Sequence, residues 1–402
     1  MPRRRIKTQV PMPNWSLSLL SHEASGLLIA AFVAVAGWVL HALGAPTIPV
    51  ALAWILGSLL AAASFWHVLT VARTRRAHPP PGRMVDIGGY RVHLLAEGQA
   101  RDGRPPIVWF AGGHAGGFAI HHLHRVFRAE TRSILIDRPG TGWSDTGPFP
   151  RTTAREADEM VLALERAGEK GPFVWAGHSF GGLLCANVAR RHPELVHTLV
   201  LLDPTPLETI IFGPRFSAIR DMQRGALLGG LAQLFGINLA AIFRKQQAAN
   251  PAYAKVQEIT DAVLGPEVAA VRDVEARAGV HLAMASIFRE LSPAGAAACA
   301  WDTAVYDGDL GDMPVLLVAP KNDIDTDALP EANIGDAAEG RRVVRRLAAT
   351  RERYLAISTR SRRVIAPAGT GHNFVYEVPD WVADVIRGVL TSKERHGPDA
   401  LG

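Results

Sequence analysis

The sequence predicts an α/β fold, a mostly parallel sheet with helices on both faces and a helical cap, preceded by two transmembrane helices. Three observations carry that expectation. No Asp, Glu, Lys or Arg occurs between Glu23 and Arg73. From Met84 onward, short aliphatic or β-branched runs alternate with helix-patterned stretches, the signature of a parallel sheet with crossover helices. Over residues 205–305 the alternation stops and only helical patterns remain.

The uncharged stretch is broken by Gly44-Ala45-Pro46-Thr47-Ile48-Pro49 and reads as two spans, about 27–43 and 48–72, long enough for a hydrocarbon core of roughly 30 Å. Trp38, Trp54 and Trp66 are interfacial anchors. Arg3, Arg4, Arg5 and Lys7 precede the pair, Arg73, Arg75 and Arg76 follow it, and the joining loop is uncharged, so both ends are expected on the cytoplasmic side. A membrane hairpin (1–76) and a proline-rich linker (77–83) therefore come first.

Beyond the linker, a hairpin is expected from 84–87 and 90–95 around Gly88-Gly89. Further strands are expected at 107–110, 133–136, 173–176, 198–202, 315–318 and 363–366, with helices at 118–128, 153–167, 180–191, 336–359 and 379–390. The core is thus divided, 84–204 and 306–392, around a cap at 205–305, with a tail at 393–402. The apolar run 225–243 carries Gln233, Asn238 and four glycines and reads as a lid helix rather than a third span.

Composition narrows the function classes. Lys and Arg number 43 against 38 Asp and Glu, and the arginines cluster at the membrane flanks and at 341–363 instead of forming one basic face, which disfavours nucleic acid. The two cysteines, Cys185 and Cys299, provide neither a disulfide framework nor metal-ligand spacing. His121-His122-Leu123-His124 reads as a solvated helix face rather than a metal pair.

The chemistry-bearing segment is Phe173-Val-Trp-Ala-Gly-His-Ser-Phe-Gly-Gly182. Gly177-x-Ser179-x-Gly181 between strand and helix exposes a serine hydroxyl on a sharp turn and offers the Phe180 N–H to a forming oxyanion. A base and its orienting acid must come from elsewhere. His372, in Gly369-Thr-Gly-His372-Asn-Phe after the last strand, is the candidate base. Asp323, just past the penultimate strand, is the first candidate for the acid, with Asp325 and Asp203 as alternatives. The second oxyanion donor is expected in Ala111-Gly-Gly-His-Ala-Gly-Gly117, at Gly113 or at His114.

On these residues, together with the Asp137-Arg-Pro-Gly-Thr-Gly-Trp-Ser-Asp145 turn, the stretch from about Met84 to Leu390 resembles the α/β-hydrolase superfamily, in the branch with a helical cap after the sixth strand. The resemblance implies a structural role for the Asp137 turn. Ala111-Gly112 stands where that family commonly has His-Gly. Ser179 separates the chain from epoxide hydrolases and haloalkane dehalogenases, which resemble this branch but attack with aspartate. The expectation is a membrane-anchored serine hydrolase of a carboxylic ester, taking a small-molecule or lipid-like acyl substrate and needing neither metal nor organic cofactor. Amide or peptide hydrolysis, acyl transfer and cofactor-free haloperoxidase chemistry use the same triad, and a non-enzymatic sensor would be expected to lack one of its members.

Overall fold

The computed structural model describes residues 15–101, 103–113, 115–205, 216–290, 305, 307–320 and 351–391. Three helices lead: α1 (Trp15–Leu20), α2 (Ser25–Ala42) and α3 (Thr47–Ala77). Helices α2 and α3 are both long and apolar enough to cross a membrane. They pack on each other through small residues, with Gly57 against the backbone of Ala30 and Ala34, while Leu28, Phe32, Ile48 and Leu59 face outward. Their expected limits are extended by a turn or less, except that α3 continues through the arginines to Ala77.

The sheet has eight strands: β1 (Arg83–Asp86), β2 (Arg91–Glu97), β3 (Ile107–Phe110), β4 (Ser133–Ile136), β5 (Phe173–His178), β6 (Val196–Leu202), β7 (Val315–Ala319) and β8 (Ser361–Ile365). Their order is β1-β2-β4-β3-β5-β6-β7-β8. The hairpin is antiparallel and everything from β4 to β8 is parallel. In the hairpin turn, Asp86 Oδ1 accepts from the Gly88 and Gly89 amides, both at positive φ. The last strand begins two residues earlier than expected. The expected helix at 336–359 lies largely outside the described residues, and its end is a 3₁₀ turn, Arg353–Leu355.

Alternation along the central strands divides the core. Val108, Phe110 and Trp175 face helices α5 (Thr153–Ala167) and α6 (Phe180–Arg191). Ile107, Trp109, Val174 and Ala176 face α4 (His121–Phe127) and the C-terminal helix Pro379–Thr391. Strands buried on both faces read as continuous apolar runs, which is why they were visible in the sequence. Because β3 and β4 exchange places in the order, the chain leaves β3 in one direction and takes up β5 in the other. The carboxyl ends of β3, β5 and β6 therefore border one crevice.

Between β6 and β7 the described residues form α7 (Phe216–Gln233), α8 (Leu239–Gln247), α9 (Pro251–Leu264), α10 (Glu267–Val274) and α11 (Ala278–Glu290). The run expected as one lid helix at 225–243 is split at 234–238, where Gly236 takes positive φ and Asn238 caps α8 by accepting from the Ala241 amide. The third helix touches this cap, Ser64 Oγ donating to the Leu234 carbonyl, and within the N-terminal helices a buried His67 pairs with Glu23 at 2.8 Å.

Candidate active site

Ser179 ends β5 and caps α6 with φ 53° and ψ −120°, a conformation disfavoured for any residue with a side chain. The strain holds because the turn is pinned from both sides. Its amide donates to the Leu202 carbonyl on β6, and its carbonyl accepts from the amides of Gly182 and Thr205. Only glycine fits around it: a Cβ on Gly177 would overlap the Gly181 backbone, and one on Gly181 would overlap the carbonyls of Phe110 and Ala111. Phe180 N–H is the first amide of α6 and has no acceptor within the helix.

His372 Nε2 lies 3.0 Å from Ser179 Oγ, and His372 Nδ1 lies 2.6 Å from Asp203 Oδ2. The carboxylate brought to the imidazole is thus that of Asp203, the residue directly after β6, whose φ is 41°. Asp323 and Asp325 lie outside the described residues. β6, which ends directly before Asp203, is the neighbour of β5 in the sheet. Asp203 is buried, and its other oxygen, Oδ1, lies 2.6 Å from Nε of the equally buried Arg351, an ion pair short of hydrogen-bond alignment. The imidazole of His372 is half-exposed.

Beneath His372, the His178 ring stacks at 4.8 Å between centroids, and its Nε2 donates to the His372 carbonyl. Burial, with His372 adding to it, holds the His178 pKa down at about 3, so this ring is neutral. The Gly371 amide donates to Glu377 Oε2 and closes the other side of the histidine loop.

The loop after β3 lies against the nucleophile, since a Cβ on Gly112 would sit within 3.0 Å of the Ser179 and His178 side chains. Gly113 has φ +57°, and its carbonyl accepts from Arg138 Nη2 at 2.6 Å. Arg138 is itself buried, paired with Glu156 at 3.0 Å and stacked 4.9 Å from the Phe180 ring. One guanidinium therefore braces the carbonyl side of Gly113 and the ring of Phe180. His114 lies outside the described residues. The Asp137 turn is a bracket: Asp137 accepts from the Gly117 and Trp143 amides and pairs with His93 at 2.9 Å. From the cap, the buried Glu275 accepts from the Gly116 and Gly142 amides, joining the two loops, and burial raises its pKa above the usual carboxylate value.

The histidines of α4 require a correction. They are buried, not solvated: His124 bridges Glu97 and Ser133, and His122 Nε2 donates to the Val375 carbonyl. The rings of His122 and His124 serve as core hydrogen-bonding groups, whereas the His121 ring packs 4.5 Å from Phe118 and 5.7 Å from His124. No cluster of three metal-ligating side chains occurs among the described residues.

Comparison with known proteins agrees with this fold. Residues 106–256 match the family model described as alpha/beta hydrolase fold. The chain has the α/β-hydrolase fold. It is similar to an uncharacterized vacuolar membrane protein of Saccharomyces cerevisiae, 28% identical over 133 residues covering 28% of this chain and 20% of the relative. It is also similar to the (lyso)-N-acylphosphatidylethanolamine lipase of Mus musculus, 31% identical over 105 residues, 25% of this chain and 30% of that one. These alignments span well under two thirds of the relatives' own lengths. Among solved structures, an epoxide hydrolase from Bacillus megaterium superposes with a TM-score of 0.54 at 15% identity, covering 77% of this chain and all of that one.

Proposed function

We propose that the chain is a membrane-anchored serine hydrolase that cleaves a carboxylic ester through Ser179, His372 and Asp203. The observation that carries the reading is the continuous line of contacts, 3.0 Å from Ser179 Oγ to His372 Nε2 and 2.6 Å from Nδ1 to the buried Asp203. In this mechanism His372 takes the Ser179 proton as Oγ attacks the acyl carbon, and Asp203 fixes the tautomer and offsets the imidazolium charge. The Phe180 amide and an amide of the Arg138-braced loop at Gly113 receive the oxyanion. Collapse expels the alcohol with the proton from His372, and water, activated by the same imidazole, releases the acid. A carboxylate nucleophile, as epoxide opening by the related enzymes requires, has no counterpart at position 179.

The outward-facing apolar residues of α2 and α3 support anchoring in a bilayer, and the arginines that end α3 support a cytoplasmic catalytic domain. With the lipase resemblance, they favour an acyl substrate drawn from the membrane. A fluorophosphonate probe tests the chemistry: wild type should be labelled and Ser179→Ala should not, whereas unlabelled wild type or undiminished labelling of the variant refutes it. Acyl-chain preference is read from short- and long-chain esters in liposomes, where faster turnover of short soluble esters would count against a lipid substrate.

A further inference from the structure

A cavity of about 230 Å³ lies between the end of α3 and the cap, with Ser179 not among its lining residues. That is smaller than the roughly 300–1,000 Å³ of pockets that hold whole drug-sized ligands, and it suits a head group better than a lipid. Its polar lining includes Arg75 and Thr74 of α3 and Gln233, Asn238, Asp273 and Arg277 of the cap.

Charge and hydrogen bonding are out of balance there. Arg277 is 4% exposed, yet among the described residues no carboxylate pairs with it: its Nε and Nη2 are spent on the carbonyls of Val274, Gly142 and Ser144. Burial lowers its pKa from the usual arginine value; the carboxylates of Glu23, Glu275 and Asp145 oppose this from a distance, and Arg75 adds repulsion. Arg75 has no ion pair among the described residues either. A buried guanidinium without a directly paired counter-charge is costly, and an anion between the two arginines would reduce that cost. Gln233 is 4% exposed, and its Oε1 has no hydrogen-bond partner among the described residues, so a donor beside the anion is wanted as well. The amide of Asn238 accepts through Oδ1 from Ala241, leaving its NH₂ as a further donor.

The depth of the cavity agrees. Arg73 stacks 5.5 Å from the exposed Trp66 ring, the aromatic and basic pairing of a membrane–water boundary, and Thr74 and Arg75 lie at that level of the same helix. From these observations we infer that the cavity binds a phosphate ester bearing an adjacent hydroxyl or ammonium, with the phosphate between Arg75 and Arg277 and the donor toward Gln233 Oε1 and Asp273. Two sources carry that chemistry, a phospholipid head group and a soluble glycerol phosphate. The inference is independent of ester hydrolysis at Ser179.

The test uses the full chain in two arms. One compares nanodiscs of phosphatidylcholine with nanodiscs containing phosphatidylglycerol; the other titrates sn-glycerol 3-phosphate in neutral detergent, with thermal stability as the readout in both. Saturable stabilisation is expected in at least one arm, and the arm identifies the source. Arg75→Gln should weaken it by about tenfold, as expected for loss of one charge-assisted contact. Arg73→Gln removes the same charge two residues away and should change it by less than about twofold, since that side chain lies on Trp66. Should Arg277→Gln fail to fold, this pair still decides. No saturable stabilisation in either arm, or equal losses for the Arg73 and Arg75 variants, overturns the inference.

Discussion

Replacing Asp203 by asparagine is the sharpest perturbation of the proposed relay, because its outcome follows from two contacts of one side chain. Oδ1 faces the Arg351 guanidinium and Oδ2 faces His372 Nδ1. An asparagine keeps the shape but must choose which end is the carbonyl. Arg351, always a cation, selects the oxygen, and the amide NH₂ is turned toward His372. It then donates to Nδ1, the imidazole proton moves to Nε2, and the atom facing Ser179 can no longer accept. Loss of that tautomer in a serine triad lowers kcat by about 10⁴-fold, or about 5.5 kcal/mol of transition-state stabilisation. The assay is steady-state hydrolysis of a chromogenic ester together with the rate of fluorophosphonate labelling, with Asp323→Asn in parallel. Asp203→Asn should lose both, and Asp323→Asn should stay within about threefold of wild type, as for a residue outside the relay. An Asp203→Asn enzyme keeping more than about a tenth of its activity beside a crippled Asp323→Asn would refute the geometry argued above.

Three further outcomes follow from neighbouring contacts. Arg351→Met removes the cation facing Asp203 Oδ1 and leaves a buried carboxylate uncompensated, which should cost about 3 kcal/mol, read from the denaturant midpoint; an unchanged midpoint would refute the pairing. Gly177→Ala forces a Cβ into the Gly181 backbone and should cost about 3 kcal/mol, read from the denaturant midpoint in detergent; an unchanged midpoint would refute the close packing. His178 is neutral in the fold with a pKa of about 3, below its unfolded value, so its contribution is present above pH 6.5 and lost as pH falls. At pH 5 it should account for about 2 kcal/mol of lost stability, and His178→Gln should reduce that acid sensitivity without raising activity.

What the sequence disclosed and what it withheld divide by distance along the chain. Ser179 and His372 announce themselves because each sits in its own glycine-bordered turn, and the strands because burial on both faces leaves apolar runs. Asp203 was one of three candidate carboxylates near strand ends, and its approach to His372 across 169 residues of chain is a tertiary contact that no local pattern records. Arg138, Glu275 and Arg351 left no local mark at all, since each acts across more than a hundred residues or through a carbonyl. The α4 histidines misled for a related reason: a polar run at helical spacing looks the same whether its partners are water or Glu97, Ser133 and a distant carbonyl.

The Thr205 amide is bound to the Ser179 carbonyl, and the Thr205 carbonyl accepts from Tyr354 Oη at 2.6 Å. The first residues beyond the proposed acid are therefore fastened to the nucleophile's own turn, and the lid is hung from the active site rather than from the sheet. A chimaera that grafts a different lid onto this domain should keep Asp203-Pro204-Thr205 with the host and splice after it. One spliced upstream would exchange the substrate gate and disable the relay in a single cut.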